Sequence, residues 1–395
     1  MTSFNLKRHL HGDRQIWFIL VLLSVISILV VYSSVSALAY RKTDGNTEFF
    51  LLKHTFFLGL GLFVSYVIHR FDFTQYSGLA KIFLWITPFL ILYTLLFGVS
   101  VGGARRWVSI LGLSFQTSDF VRLVLITNLS AMLARRQHVE YKAADLWYMI
   151  AWIGLTVGLL SISSFSTSVI LGITCFLIMW IGRVPKRFLI RMVAVVVMGV
   201  VGVLALGLIA KRGANIEIGR VQTVIDRMES FVDHDLDGDR LVGGEHGSLS
   251  DQKNYALIAI AKGGVFGIGP GNSSQKNILP DAFSDFIYSI IIEEYGLIGG
   301  VAVMLLYLWL LYRGVYNIEF TTRAFSGLLS VGLTLSIVLQ AFAHMFINVG
   351  LGPVTGQTLP LISMGGTSAL FTSVAIGIVL SVTKNHIPEK NEKTA

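Results

Sequence analysis

The segment Ser284–Gly300, SDFIYSIIIEEYGLIGG, sets Asp285, Glu293 and Glu294 in a run that otherwise has the composition of a bilayer span. A carboxylate at the centre of a spanning helix costs about 2.5–3.5 kcal/mol on insertion scales, so three in one run need partners or a task. The rest of the chain makes the bilayer the right solvent to assume. Its 395 residues are 54% hydrophobic and 14% charged, with a mean hydropathy of +0.70. A soluble protein so apolar could not cover its own surface.

Apolar runs of about 17–25 residues, enough to cross a bilayer, recur ten times: 16–39, 49–68, 78–98, 118–134, 146–162, 166–182, 188–209, 284–312, 325–349 and 366–383. The expected fold is an all-α polytopic membrane protein of about ten transmembrane helices. Lys and Arg orient it. With the N-terminus inside, one set of loops holds Arg135, Arg136, Arg183, Lys186, Arg187 and Arg313 among others. The opposite short loops hold only Arg41, Lys42, Lys53, Arg105, Arg106 and Arg122. Residues 1–15 and the tail 384–395 are then cytoplasmic. Helices 1–7 fill 16–209, an extracytoplasmic loop fills 210–283, and helices 8–10 fill 284–383.

Ala37-Leu38-Ala39 resembles a signal-peptide cleavage site, but the apolar run before it is too long for an h-region and nine spans follow, so an uncleaved first span is expected. The net charge of +8 is scattered between spans and reads as topology, not nucleic-acid binding. The single cysteine, Cys175, excludes an internal disulfide. No internal repeat is evident, which argues against an inverted-repeat transporter.

The 210–283 segment is too polar to span. IGRVQTVIDRMESFV (218–232) spaces its apolar residues as an amphipathic helix at the membrane surface, with Arg220 and Arg227 two turns apart on one face. Those arginines either snorkel or bind an anion. DHDLDGDRLVGGE (233–245) imitates a calcium loop, but its twelfth position is Gly244, so a solvated acidic turn is expected. KGGVFGIGPGNSSQK (262–276) carries Gly267, Gly269 and Gly271 between Lys262 and Lys276. It reads either as a cradle whose N–H groups meet an anion or as a re-entrant turn that needs positive φ.

Asp285 falls at the outer end of its helix, where Ser284 or Asp285 can cap exposed N–H groups. Glu293 and Glu294 lie about 12–14 Å deeper at 1.5 Å per residue and point in different directions. They are not expected to share one cavity, and at least one should pair or cap a broken helix. A second polar cluster, GGARRWVSILGLSFQTSDFVRL (102–123), offers Arg105, Arg106 and the i,i+3 pair Asp119 and Arg122. A third, FINVGLGPVTGQTLPLISMGGTSALF (346–371), is uncharged and reads as irregular backbone buried in protein. His344 and Asn348, one turn apart before it, read as interior packing groups.

The three clusters, in this order, resemble the SEDS family (shape, elongation, division and sporulation), whose members include FtsW, RodA and SpoVE. GARRW, SFQTSDFVRL, LIAIAKGGVFGIGPGNSSQKNILPDAFSDFIYSIIIEEYGLIG and LGPVTGQTLPLISMGGTSAL carry the resemblance over nearly all ten spans. Within the family, TGQTLPLISMGG and the long loop are more similar to FtsW than to RodA. The resemblance implies a peptidoglycan glycosyltransferase that polymerises lipid II at the outer face of the bacterial cytoplasmic (inner) membrane, at the division septum. It places the family's essential aspartate on Asp285. Asp119 and Arg122 stand where the family usually has Glu and Lys, and Ser164 stands where it has an acid, so that acid's role does not transfer.

That function implies an inverting transfer with Asp285 as general base. Arg106, Asp119, Arg122, Arg220, Arg227, Lys262, Lys276 and Ser284 are the candidate substrate-binding residues. A divalent cation, Mg or Mn, is a candidate cofactor on the pyrophosphate; no organic cofactor is expected. Expected partners are a class B penicillin-binding protein, other division proteins and membrane lipid, with no nucleic acid. The rival readings are a lipid II flippase and a non-catalytic division scaffold.

Overall fold

The computed structural model describes residues 11–43, 45–101, 104–110, 113–137, 141–214, 249–318 and 323–384. The surface helix expected at 218–232 and the acidic turn at 233–245 lie outside the described residues.

Helices account for all ten expected spans. They are α1 (Arg14–Ser34), α3 (Thr47–Ile68), α4 (Phe73–Phe97), α5 (Thr117–Ala134), α6 (Ala143–Ser163), α7 (Phe165–Ile181), α8 (Lys186–Ala214), α10 (Ile287–Tyr316), α11 (Ala324–Asn348) and α12 (Thr367–Thr383). Two further helices are α2 (Ser36–Thr43), whose first half takes up the end of the 16–39 run, and α9 (Leu249–Gly263), which has no counterpart among those runs. Among the described residues seven helices are long and apolar enough to cross a membrane, and α7 and α12 are shorter apolar helices.

Side-chain caps set several helix starts. Asp13 accepts from the Gln15 N–H at 2.9 Å, Asn46 from Phe49 at 3.1 Å and Asp72 from Thr74 at 3.1 Å. Polar contacts then hold the spans together where a bilayer supplies no hydrophobic drive between helices. Ser65 of α3 donates to the Ser373 carbonyl of α12 at 2.7 Å. His54 of α3 bonds Ser27 of α1 at 2.7 Å, and Ser27 donates to the Ile362 carbonyl at 2.7 Å. At the end carrying both described termini, Arg313 pairs with Asp13 at 2.6 Å and Asp13 N–H donates to Thr383 Oγ1 at 3.0 Å.

Three departures from expectation have local causes. The first span stops at Ser34, with Val35 as its C-cap, and a separate short helix, α2, follows from Ser36. The fold is the expected helical one, with a local addition between 99 and 116, where β1 (Val99–Val101), β2 (Ala104–Ile110) and β3 (Leu113–Gln116) form an antiparallel sheet in the order β1-β2-β3. The run 284–300 is not one straight helix. α10 begins only at Ile287, and Gly296 breaks it with φ 71°.

That break is where the glycine-rich segment crosses α10. Ile268 and Gly269 N–H groups donate to the Glu293 and Glu294 carbonyls at 3.0 Å each, and Leu297 N–H donates to the Gly264 carbonyl at 2.9 Å. A Cβ on Gly296 would sit 2.2 Å from the Val265 carbonyl oxygen, and one on Gly267 would sit 2.3 Å from the Glu294 carbonyl oxygen. Both glycines also have positive φ. The turn expected of 262–276, with its need for positive φ, is present. The N–H groups of Ile268 and Gly269 are spent on α10 carbonyls, that of Gly267 on the Gly263 carbonyl, and those of Ser273 and Ser274 on the two glutamate side chains.

Gly296→Ala should consequently destabilise severely, adding backbone overlap to the roughly 1–2 kcal/mol of left-handed strain. Gly158→Ala, in α6 with nothing within 4 Å of the new Cβ, should be neutral or gain up to about 1 kcal/mol. Thermal melts of the two purified variants in one detergent check the contrast; equal melting temperatures would refute the crossing.

Candidate active site

Asp285 sits on a turn, not in the helix that follows. The turn forms because Ser284 and Asp285 N–H groups both donate to the Asp281 carbonyl at 2.9 Å. Phe286 and Ile287 anchor it by burying completely, Phe286 in a small apolar cluster with Ala256, Leu279, Ala282 and Ile290. The 349–366 segment pins it from the other side. Ser363 Oγ donates to the Ser284 carbonyl at 2.7 Å and Met364 N–H to the Phe283 carbonyl at 3.1 Å. Asp285 itself is left half-buried, and Ser284 Oγ donates to its Oδ1 at 3.0 Å.

Neither Ser284 nor Asp285 caps α10, contrary to expectation. Phe286 holds the N-cap position and makes no side-chain cap bond. The side chain of Asn348, at the end of α11, takes that role by accepting from the Ser289 N–H at 3.1 Å. The same carboxamide donates to the Asp285 carbonyl at 2.9 Å.

The small sheet brings Arg106 to this turn. A β-bulge between the pairs Val99↔Trp107 and Ser100↔Arg105 leaves Arg106 as the extra residue of β2, and the two adjacent arginines take different partners. Arg105 turns to the Leu96 carbonyl at 2.8 Å, while Arg106 reaches the 349–366 segment. A Cβ on Gly356 would lie 3.3 Å from Arg106 Nη1 and 3.4 Å from Asp285 Oδ2, so the guanidinium and the carboxylate lie within about 7 Å of each other. Both groups lie beside Gly356.

Asp119 and Arg122 pair as their spacing predicted, at 3.6 Å. The pair is buried, at 4% and 7% exposure, and Arg122 also donates to Gln340 of α11. Gln340 passes the contact on by donating to the Thr358 carbonyl at 3.0 Å. One turn further, His344 Nδ1 bonds the Gln357 carbonyl at 2.8 Å, and Gln357 Nε2 donates to Thr167 at 2.8 Å. Ser164, at the family's acidic position, bonds that same Thr167 hydroxyl at 2.7 Å. Gln340, His344 and Asn348 thus form a polar stripe at i, i+4 and i+8 that holds the irregular segment. The spacing is visible in the sequence; a reading of His344 and Asn348 as packing groups misses its purpose.

Glu293 and Glu294 converge, against expectation, on one loop. Glu293 accepts from Ser273 Oγ and, at 3.2 Å each, from the N–H and hydroxyl of Ser274. Glu294 accepts from Ser33 Oγ and from the Ser273 N–H at 3.4 Å, with Lys276 Nζ at 4.0 Å. Diverging helical directions meet at Ser273 because the loop wraps the broken helix. Both acids serve structure. Lys276 is held by Glu294, Ser33 and the Gly271 carbonyl, and Lys262 bonds Ser274 at 2.8 Å. The structure therefore brings Asp285, Ser284 and Arg106 together, ties Asp119 with Arg122 in the core, and ties both lysines to the crossing loop. Arg220 and Arg227 lie outside the described residues.

The chain is similar to known proteins over almost its full length. A family model described as a cell cycle protein, that of FtsW, RodA and SpoVE, matches residues 13–387. A probable peptidoglycan glycosyltransferase FtsW from Coxiella burnetii is 30% identical over 379 residues, covering 93% of this chain and 95% of that protein. A peptidoglycan synthase complex, solved for its coordination of polymerization and crosslinking, contains a chain with a TM-score of 0.70 at 23% identity, covering 96% and 99% of the two chains. The rod shape determining protein RodA of Thermus thermophilus superposes with a TM-score of 0.65 at 21% identity, covering 95% and 98%. This multi-pass membrane protein belongs to the FtsW/RodA/SpoVE family.

Proposed function

We propose that the protein is a peptidoglycan glycosyltransferase that polymerises lipid II at the outer face of the cytoplasmic membrane, within a synthase complex that includes a crosslinking partner. Relatives named as FtsW support the activity, and one observation carries the site: a half-buried carboxylate on a pinned turn, with an arginine within about 7 Å of it beside Gly356.

The chemistry follows from that pair. Asp285 takes the proton of the acceptor sugar's 4-hydroxyl as its oxygen attacks the donor's anomeric carbon. The bond from that carbon to the undecaprenyl pyrophosphate breaks, and the electron pair leaves with the phosphate. A single base with direct displacement inverts the centre. Arg106 is placed to meet the leaving group's developing charge, with a planar fork suited to phosphate oxygens. Arg220 and Arg227 remain candidate anion-binding residues by sequence, while Asp119, Arg122, Lys262 and Lys276 hold neighbouring segments in place. Among the described residues no three His, Cys, Asp or Glu side chains gather into a metal cage. A Mg or Mn ion would therefore ride on the pyrophosphate, and no step here is routed through one. The partner proposed is a class B penicillin-binding protein, together with other division proteins at the septum.

Asp285→Asn should lower glycan-strand formation from purified lipid II by about 10²–10⁴-fold, at matched folded amounts and with a transpeptidase-inactive partner present. Undiminished polymer would move the base elsewhere, and no polymer from the intact wild-type complex would favour the flippase or scaffold readings. Arg106→Lys keeps the charge but loses the fork, so it should retain more activity than Arg106→Ala and less than wild type. Gly356→Ala should be tolerated in part, because its Cβ makes tight contacts at 3.3 and 3.4 Å. Gly356→Val should abolish polymer by wedging the two groups apart, without a matching loss of melting temperature.

A further inference from the structure

Asn348 closes α11 at 1% exposure, and its carboxamide makes as many hydrogen bonds as an amide can. Nδ2 donates to the Asp285 carbonyl and to the His344 carbonyl, both at 2.9 Å. Oδ1 accepts from the Ser289 N–H at 3.1 Å and from the Ser289 hydroxyl at 2.9 Å. Two donors and two acceptor sites are all used. The nitrogen faces only carbonyl oxygens, so no acceptor can replace it there.

Those bonds fix more than the end of a helix. Ser289 is the third residue of α10, whose N–H has no partner within its own helix. By capping it, Asn348 ties the start of α10 to the end of α11. By holding the Asp285 carbonyl, it also fixes the peptide that follows the carboxylate. The preceding peptide is already fixed, since Ser363 Oγ holds the Ser284 carbonyl at 2.7 Å. With both flanking peptide planes set, the direction of the Asp285 Cα–Cβ bond is set too.

We propose that Asn348 is a positioning residue for the Asp285 carboxylate, acting through the main chain and touching no substrate. The proposal rests on the reading of Asp285 as the base. Asn348→Asp tests it with almost no change of shape, because an oxygen replaces Nδ2 and faces the carbonyls of Asp285 and His344. The charged and titratable groups around the position are Asp285, His344 one turn earlier, Arg106 of β2 beside Gly356, and Lys253 of α9. Lys253 Cε lies 3.4 Å from where a Cβ on Gly350 would sit. All four are unchanged in the variant, so the ratio of variant to wild-type rate reports on position 348.

The full chain with its transpeptidase-inactive partner would be assayed on lipid II for kcat and KM across the acidic-to-neutral range. We expect Asn348→Asp to lower kcat about 10–100-fold at neutral pH, the scale of a misplaced reacting group, with little change in KM. The ratio to wild type should rise as pH falls, because a protonated carboxyl regains an O–H to donate to the Asp285 carbonyl. Wild-type kcat at neutral pH, or a reduced ratio that is flat with pH, overturns the proposal. Asn348→Ala is the companion if the isostere does not fold. Wild-type kcat there overturns the proposal as well, and so does failure of both variants to fold, which makes the residue structural. Asp285→Asn, run in parallel, separates the two claims. Full activity in that variant removes the base itself, whereas its loss beside wild-type kcat in the Asn348 variants removes only the positioning role.

Discussion

The backbone crossing at Gly296 is the constraint on which the rest of this end of the molecule depends. Non-helical backbone at membrane depth survives only where the protein itself satisfies its N–H and C=O groups. Here the 264–269 strip and the 293–298 stretch of α10 satisfy each other, at the closeness that glycine permits. Once α10 is broken, its two glutamates are free to bind the loop that broke it. Charge-assisted hydrogen bonds contribute about 1.5–3 kcal/mol each. The three that Glu293 accepts are therefore enough to offset a burial cost of about 2.5–3.5 kcal/mol. The acids that look most out of place in a span are thus the ones that make the span's irregularity stable.

The same logic sorts the remaining charges. Asp119 and Arg122 are buried, so each needs the other, and Arg122 needs Gln340 as well. Asp285 differs in exposure rather than in charge. Its turn is held at neighbouring backbone atoms by Asn348 and Ser363, which leaves the position of the carboxylate determined while its surface stays half open. A reacting group has to be held in this way, accessible and yet immobile.

Much of this is legible in the sequence, for identifiable reasons. Bilayer thickness sets a length scale, so the ten apolar runs read out as helices, with errors at their ends and at the break in α10. The i,i+3 spacing of Asp119 and Arg122 forces their pairing, and the re-entrant glycines are recognisable as a need for positive φ. What stays hidden depends on contacts distant in sequence. Glu293 and Glu294 point apart on an ideal helix, and only the wrapped loop lets Ser273 serve both. Arg106 and Asp285 are 179 positions apart in the chain, and the β-bulge at which Arg106 sits leaves no mark in hydropathy. Local capping is the rule, so the first residues of α10 are where its cap is expected, but it comes from the end of α11.

That distant cap has a mechanical consequence. Gln340, His344 and Asn348 stand on one face of one rigid helix, and each holds a different piece of irregular backbone: Thr358, Gln357 and Asp285. The first two grips fall on the residues just after Gly356, and the third holds the carboxylate's turn. A shift of α11 along its axis would therefore carry the residues after Gly356 and the Asp285 turn together and preserve their spacing. A rotation of α11 would not, because the stripe would leave the carbonyls that it holds. Loops alone have no such property, since each would relax independently. Carrying the contacts on a single helix makes the relation between Asp285 and the 349–366 segment depend on one rigid body, and an influence acting on α11 would reach both sides of the site at once.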